Sequence, residues 1–482
     1  MKGLTLNSTY FLNTMNKLKI QLLIYSLLVS LSCFSNEYFV DMNGNDNQNG
    51  GRKLPLKTIF KASEMAMAGD TVTIFGGNYP LSRPFYPLRS GTPDKWILYR
   101  GAPNEEVIFD GKQIKKMLLK GDSVQFSRQT AGLFQIEKVS YLRFENIKVQ
   151  NSDAAGFIVR GPVCKKIELI NCKSDQTHNS GIGLWYCDSV LVKDCEISGA
   201  NDNADQYYLP GQRKRVEAPH EALSICGARY FEVANNHIHH CFKEGIDCKE
   251  VSQQGVIHHN LVHDLPRQAY YADAWFGLLE DVEFHSNTAY NCMWGFGISV
   301  EGKGSTLRNV RFHHNLIYNM KGAGVLFGMW GNNLLRSDIH IYNNTFYRCG
   351  SPQVFSGGVG SFDILSKNFK DVFIYRNICD KGWDYEMGFT FKPEEVEAAL
   401  ATRNFIAREN LFESAKNRPS RIGQFDVMVY EYLPPNNQMG APLYRNELKF
   451  DFVPEKIPEV KLTGMKWKYQ PSPWFGAFKP AF

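Results

Sequence analysis

Short runs of alternating apolar and polar residues recur along most of this chain, and they come in two kinds. The first kind is an apolar strand, a polar turn residue, then a second apolar strand. It appears as "LRFENIKV" at Asn146, "IELINCKS" at Asn171, "VLVKDCEI" at Asp194 and "FEVANNHI" at Asn236. It continues as "VIHHNLVH" at Asn260, "VEFHSNTAY" at Asn287, "VRFHHNLIY" at Asn315, "IHIYNNTFY" at Asn344, "VFIYRNICD" at Asn377 and "IARENLFES" at Asn410. Successive turn residues are 25, 23, 42, 24, 27, 28, 29, 33 and 33 positions apart, the longest gap holding the insertion "GANDNADQYYLPGQRKRVEAPH". The second kind is a shorter strand at a nearly constant offset from each turn: "AGLFQIE", "AGFIVRG", "SGIGLWY", "HEALSIC", "EGIDCKE", "QAYYADA", "GFGISVE" and "AGVLFGM".

A two-residue period inside each run predicts strands whose side chains point alternately inward and outward. A longer period of two to three dozen residues, with three short strands and no helix, predicts a solenoid in which each repeat is one coil of a parallel β-helix. Equivalent side chains then stack at the strand spacing, about 4.8 Å. Asn suits the turn because it tolerates a left-handed backbone and its amide can bond to the Asn of the next coil. The L-x-x-L-x-L pattern of a leucine-rich solenoid is absent from the sequence.

These repeats resemble the right-handed parallel β-helix superfamily of pectate lyases, polygalacturonases and related carbohydrate enzymes. The opening "YFVDMNGNDNQNGGRKLPLKTIFKASEMAMAGDTVTIFGGNY" is similar to the N-terminal cap of its secreted bacterial members, with a short strand and an amphipathic helix at about 56–68 closing the solenoid. The resemblance spans about residues 37–412. The expected fold is all-β: a right-handed parallel β-helix with an N-terminal capping helix and an irregular C-terminal tail. Expected boundaries are a leader at 1–36, cap and first coils at 37–130, the β-helix core at 131–412 and a wrapping segment at 413–482. That last segment is Pro-rich and aromatic ("YLPPNNQMGAPLYRN", "KYQPSPWFGAF") and breaks the repeat, which suits it to shielding the last coil from edge pairing.

Composition narrows the class. The 482 residues are 43% hydrophobic and 21% charged, as in a globular protein. A net charge of +5 without a Lys/Arg block argues against a nucleic-acid partner. Lys17 and Lys19 precede the apolar run "IQLLIYSLLVSLSCF", which is short for a membrane span and reads as a secretory leader, with Met15 as an alternative start. The protein is therefore expected to be secreted or periplasmic, with lipidation at Cys33 as a cell-surface variant. No transmembrane segment is expected and the chain reads as a monomer. Of eleven cysteines, Cys164 and Cys187, Cys172 and Cys195, and Cys226 and Cys248 are separated by one coil period, so most read as a buried column rather than disulfides.

The candidate chemistry lies on the second kind of strand. In "EGIDCK", Ile246 and Cys248 are expected to face the core, and Asp247 and Lys249 to face outward. Aligning the next coil sets Tyr271 beside Asp247 and Asp273 beside Lys249; the coil after that adds Ser299 and Glu301. His220 and Glu221 stand at the entrance of the preceding coil, Arg160 and Trp185 further up, Met329 and Trp330 further down. The bland reading of Asp247 and Lys249 is a surface ion pair that steadies the stack, and Asp273, Glu301 and Glu221 have similar structural alternatives. Against that, several carboxylates, a lysine, a histidine, a tyrosine and tryptophans on one stripe suit a sugar-cleaving groove. With one coil and two residues between them, Asp247 and Asp273 are expected roughly 8 Å apart, within the carboxylate spacing of inverting glycosidases. Lys249 is expected to lower the pKa of Asp273.

The expected function is cleavage of glycosidic bonds in a polysaccharide or oligosaccharide. The favoured route is hydrolysis by Asp247 and Asp273, assisted by Glu301 or Glu221, with Lys249, His220, Tyr271, Arg160, Trp185 and Trp330 placing substrate. The resemblance also implies a lyase route, with Lys249 as a base of lowered pKa and Ca²⁺ on Asp247, Asp273 and Glu301; no cofactor is otherwise called for. An epimerase of polymeric uronates and a non-catalytic adhesin are the remaining alternatives. The clustered-Asp motif of ninth-family pectate lyases and the paired-Asp and Gly-His-Gly motifs of polygalacturonases are absent. His258, His285 and His313 are expected to stack on another face, and the pairs His239–His240 and His258–His259 to lack a closed zinc ligand set.

Overall fold

The computed structural model describes residues 35–114, 130–201, 219–352, 360–389, 395–414, 420–422, 430–431, 436–440, 442–458 and 462–479. The leader, Cys33 and most of the insertion, at 202–218, lie outside the described residues. No helix among the described residues is long and apolar enough to cross a membrane.

Three long sheets run the length of the solenoid. The first has 13 strands, from Glu37–Val40 to Phe405–Arg408, and the second 13, from Gly77–Pro80 to Gln438–Met439. The third has 12, from Gly132–Glu137 to Tyr430–Glu431. Every pairing is parallel except the last in the third sheet, between Ser420–Ile422 and Tyr430–Glu431. One coil visits the sheets in turn, as in Glu232–Ala234, His237–His239 and Ile246–Glu250, before the next begins at Gln253–His258. The interior is a continuous apolar column that includes Val233, Ile238, Ile246, Cys248, Ile257 and Val262. At the N-terminal end a helix spans Ile59–Met65; Thr58 caps it by accepting a hydrogen bond from the Lys61 N–H, and Ile59 and Ala62 bury its inner face. This is the expected cap.

The turn between the first and second sheets departs from the sequence alignment by one residue. The left-handed backbone falls at Asn146 (φ 56°), Asn171 (φ 48°) and Asp194 (φ 56°), but then at Asn235, His259, Ser286, His314 and Asn343. From the Asn236 coil onward the stacked asparagine is the next residue. Asn236, Asn260, Asn287, Asn315, Asn344, Asn377 and Asn410 are buried and bonded in series. For example, Asn315 Oδ1 accepts from the Asn287 N–H (2.9 Å) and Nδ2 (3.1 Å), while its own Nδ2 donates to Asn344 Oδ1 (2.9 Å) and Phe284 O (3.1 Å). One carboxamide thus satisfies backbone and side-chain groups that the turn would otherwise bury unpaired.

In the earlier coils the same column holds Cys172 and Cys195, whose thiols donate to Phe144 O and Leu169 O at 3.4 Å, in the place where Asn236 Nδ2 donates to Val192 O. Cysteine is the small weak donor that the site accepts there. All ten cysteines among the described residues are buried and free, as the repeat spacing predicts.

On the outer face of the first sheet the predicted histidine stack is present and longer than expected. His258, His285, His313, Tyr342, Tyr375 and Trp467 follow one another at centroid distances of 4.9, 5.3, 4.5, 4.9 and 3.9 Å. Trp467 belongs to the C-terminal segment, which lies back along this face. Arg376 donates to Ser472 O (2.8 Å) and Asn343 Nδ2 to Trp474 O (2.5 Å). These contacts seat residues 467–474 on the outer face of the first sheet.

Candidate active site

Parallel register decides which side chains meet on the third sheet. Ser224, Asp247, Tyr271 and Gly297 form one outward column; Cys226, Lys249, Asp273 and Ser299 form the next. These are the neighbours the alignment predicted. Ile246 and Cys248 point into the core. A cleft of about 570 Å³ opens over these columns. Its walls carry five carboxylates (Glu221, Glu244, Asp247, Asp273 and Glu301), three cations (Lys243, Lys249 and Arg267) and the aromatic residues Tyr271, Trp275, Trp294 and Trp330.

The five acids have unlike surroundings. Burial would raise Glu221, but Lys249, Lys243 and His220 override it and hold its pKa at about 2. Lys249 Nζ bonds to Glu221 Oε1 at 2.9 Å, and Ser224 Oγ donates to Oε2 at 2.8 Å. Asp247 lies beside this ionised group. Its pKa is pushed well up by burial and by the charge of Glu221, and no donor reaches its Oδ1. Asp273 is also raised, by burial and by Glu301, although Trp275 Nε1 donates to its Oδ2 at 2.5 Å and Lys249 favours its charge. Glu301 is raised by burial and takes the Tyr271 hydroxyl at 2.5 Å. Glu244 is tied to Arg267 at 3.0 Å. The site can therefore hold ionised and protonated carboxyls side by side, which is what separates an acid from a base in one groove.

Several expectations need correction. Lys249 does not lower Asp273 below the ordinary aspartate value, because burial and Glu301 outweigh it. Lys249 itself is raised, not lowered: burial disfavours its charge, but Glu221, Cys226 and Asp247 more than compensate. A lysine so paired is a poor proton acceptor. The three carboxylates Asp247, Asp273 and Glu301 do not converge as a calcium set; among the described residues the group of three ligating side chains with atoms within 4.8 Å of one another is His240, His263 and Asp264. Trp185 is not an open sugar platform. It is 5% exposed, packed with Ala155, Ile158 and Cys226, and His220 lies against it at 4.4 Å. Burial and nearby Lys249 lower the His220 pKa to about 4. Arg160 pairs with Glu137 and donates to Thr130 O (2.8 Å), away from the cleft walls. Trp330 does line the cleft, edge-on to Tyr271 and Trp294 at 5.9 Å each.

Sequence reasoning passed over Glu244, Lys243, Arg267, Trp275 and Trp294. Glu244 opens the very phrase "EGIDCK", and Trp294 pairs in register with Gln268. Both sit at strand entrances, where alternation stops reporting which way a side chain points.

Three long, almost wholly parallel sheets with a capping helix at one end, and a carboxylate-rich cleft on one of them, give the chain the right-handed parallel β-helix fold. Residues 38–213 match the family described as "Pel9A-like, right handed beta helix region", and residues 307–436 match "Disaggregatase related". Neither match covers 221–301, where most of the cleft is built. The chain is similar to the Bacillus subtilis protein named "Uncharacterized protein YwoF", 26% identical over 471 residues, covering 87% of this chain and 91% of that one. It is also similar to "Pectate lyase PEL9" of Emericella nidulans, 26% identical over 178 residues, covering 36% of this chain and 42% of that one. Among solved structures, pectate lyase Pel9A aligns with a TM-score of 0.46 at 14% identity, over 92% of this chain and 96% of that one.

Proposed function

We propose that the protein is a secreted carbohydrate-active enzyme that hydrolyses glycosidic bonds in a polysaccharide or oligosaccharide, with Asp247 as proton donor and Asp273 as base. The observation that carries this reading is the unlike charge state of neighbouring cleft carboxyls. Asp247 is buried beside ionised Glu221 and has an unbonded oxygen, and both burial and that charge favour its protonated form. Asp273, unlike Asp247, has a side-chain donor, Trp275 Nε1 at 2.5 Å, that favours its charged form. One coil and two residues separate them, roughly 8 Å, which leaves room for a water between base and sugar. Asp247 protonates the leaving oxygen; Asp273 takes a proton from the attacking water. Trp330 and Trp294 offer faces for pyranose rings.

A second reading, β-elimination, has support in the Pel9A-like match over the first coils and in the likeness to PEL9. The pairing of Lys249 with Glu221 counts against it as the base, and five acids facing three cations make a poor seat for a polyuronate. A polysaccharide panel tests both. Hydrolysis yields new reducing ends without unsaturated, ultraviolet-absorbing product. Asp247→Asn and Asp273→Asn should each lose about 10²–10⁴-fold in turnover while retaining glycan binding. Unsaturated product from the wild type would overturn the hydrolase assignment.

A further inference from the structure

On the second sheet, on the strands and turns that lead towards the cleft, successive coils place five ring and carboxylate side chains against one another. The strand His237–His239 pairs with Leu261–His263, so His239 is beside His263 and the rings stack at 5.3 Å. His240 and Asp264 follow at the two turns. His263 Nδ1 is 2.7 Å from Asp264 Oδ2, and His240 Nε2 is 4.0 Å from the same oxygen.

We infer that His240, His263 and Asp264 form a divalent transition-metal site that clips two consecutive coils together. Two imidazoles and a carboxylate suit Zn²⁺, Ni²⁺ or Cu²⁺ rather than Ca²⁺. Around a tetrahedral zinc, ligand atoms sit about 3.4 Å apart. Binding requires the 2.7 Å contact to open and the 4.0 Å contact to close, a change that rotation of the solvent-accessible His240 and Asp264 side chains would supply.

What sets this cluster apart is that its three ligating atoms lie within 4.8 Å of one another, and a second layer of partners backs them. The nitrogen each imidazole would turn away from the metal already has a partner. His240 Nδ1 lies 2.8 Å from His239 Nδ1, and His263 Nε2 lies 2.8 Å from His237 Nε2. The free oxygen of Asp264 accepts from Asn291 Nδ2 at 3.1 Å. His239 Nε2 in turn approaches Glu196 Oε1 at 3.4 Å. Outer partners of this kind fix the tautomer and orientation that a metal requires. The other histidine group, His258, His285 and His313 with His259 and His314, has the same ring stacking and carboxylates at hand in Glu232 (3.2 Å from His258) and Glu283 (2.6 Å from His313), but among the described residues no three of its ligating atoms lie within 4.8 Å of one another, and it serves as an internal control.

The whole chain, purified without an affinity tag and stripped with chelator, should bind one Zn²⁺ or Ni²⁺ in equilibrium dialysis and melt at a higher temperature with the metal present. His240 is mostly exposed, so His240→Ala keeps the fold; it should weaken binding at least about tenfold and remove the metal-induced shift. Asp264→Asn should do the same, and His259→Ala should leave binding unchanged. Binding that survives both His240→Ala and Asp264→Asn, or no stoichiometric binding by the wild type, would overturn the site.

Discussion

Lys249 offers the sharpest test of how the cleft is wired. Changing it to methionine keeps the aliphatic stem and removes the charge. Glu221 then stays buried with Ser224 as its direct partner. Its pKa in the folded protein is about 2 against an ordinary 4.5. At 1.36 kcal/mol per unit, that depression corresponds to about 3 kcal/mol of stabilisation. A depressed carboxyl contributes fully above its unfolded pKa, and the contribution fades as pH falls from 4.5 towards 2. Lys249 is the largest of the cations behind the depression, ahead of Lys243 and His220, so the Lys249→Met variant should lose up to about 3 kcal/mol at pH 7 and converge with the wild type in acid. The local nature of the loss suits hydrogen exchange: amides of Leu223–Cys226 and Ile246–Glu250 should open up to roughly 100-fold more often at pH 7. Glu221→Gln combined with Lys249→Met removes both charges and should restore most of the protection. Unchanged exchange in the single variant, or an equal loss in the double, would show that Lys249 does not hold Glu221 ionised.

Other outcomes follow from the same contacts. Turnover should fall as pH rises through the raised pKa of Asp247, since the proton donor is then lost; a pH–rate profile of kcat checks this. Asn315→Ala leaves the Asn287 N–H without its acceptor and removes one bond each from Asn287 Nδ2, Phe284 O and Asn344 Oδ1, so about 2–4 kcal/mol should be lost, seen as a lower urea midpoint. Trp467→Ala removes the ring stacked on Tyr375 at 3.9 Å, and limited proteolysis should then cut within 462–479 while the coils stay intact. Gly255→Ala would put a methyl within 1.9 Å of the Phe231 ring and should cost about 1–3 kcal/mol in thermal stability.

Much of this protein could be read before any coordinates, because a parallel solenoid converts sequence period into spatial neighbourhood. Once the coils are counted, the residue beside Asp247 must be Tyr271 and the residue beside Lys249 must be Asp273, and they are. The cysteine column and the histidine stack follow from the same arithmetic, whereas the capping helix was legible through the resemblance of the opening segment to the superfamily's N-terminal cap. The turn column did not: an alignment on Asn cannot tell the left-handed position from the buried one after it, and the chain uses Asn in the first role at Asn146 and in the second at Asn236. Charge partnership was equally hidden. Lys249 was free, on the strand pattern, to serve Asp273 or act alone; in the folded cleft it reaches back to Glu221, one coil earlier and beyond the regular strand. Trp185 and Arg160 shared the outward stripe but were claimed by local packing. The reason is that strand pairing sets backbone position, while burial and the reach of long side chains set which charges are neutralised. Those depend on turns and strand entrances, where the two-residue period ends and only the tertiary arrangement decides.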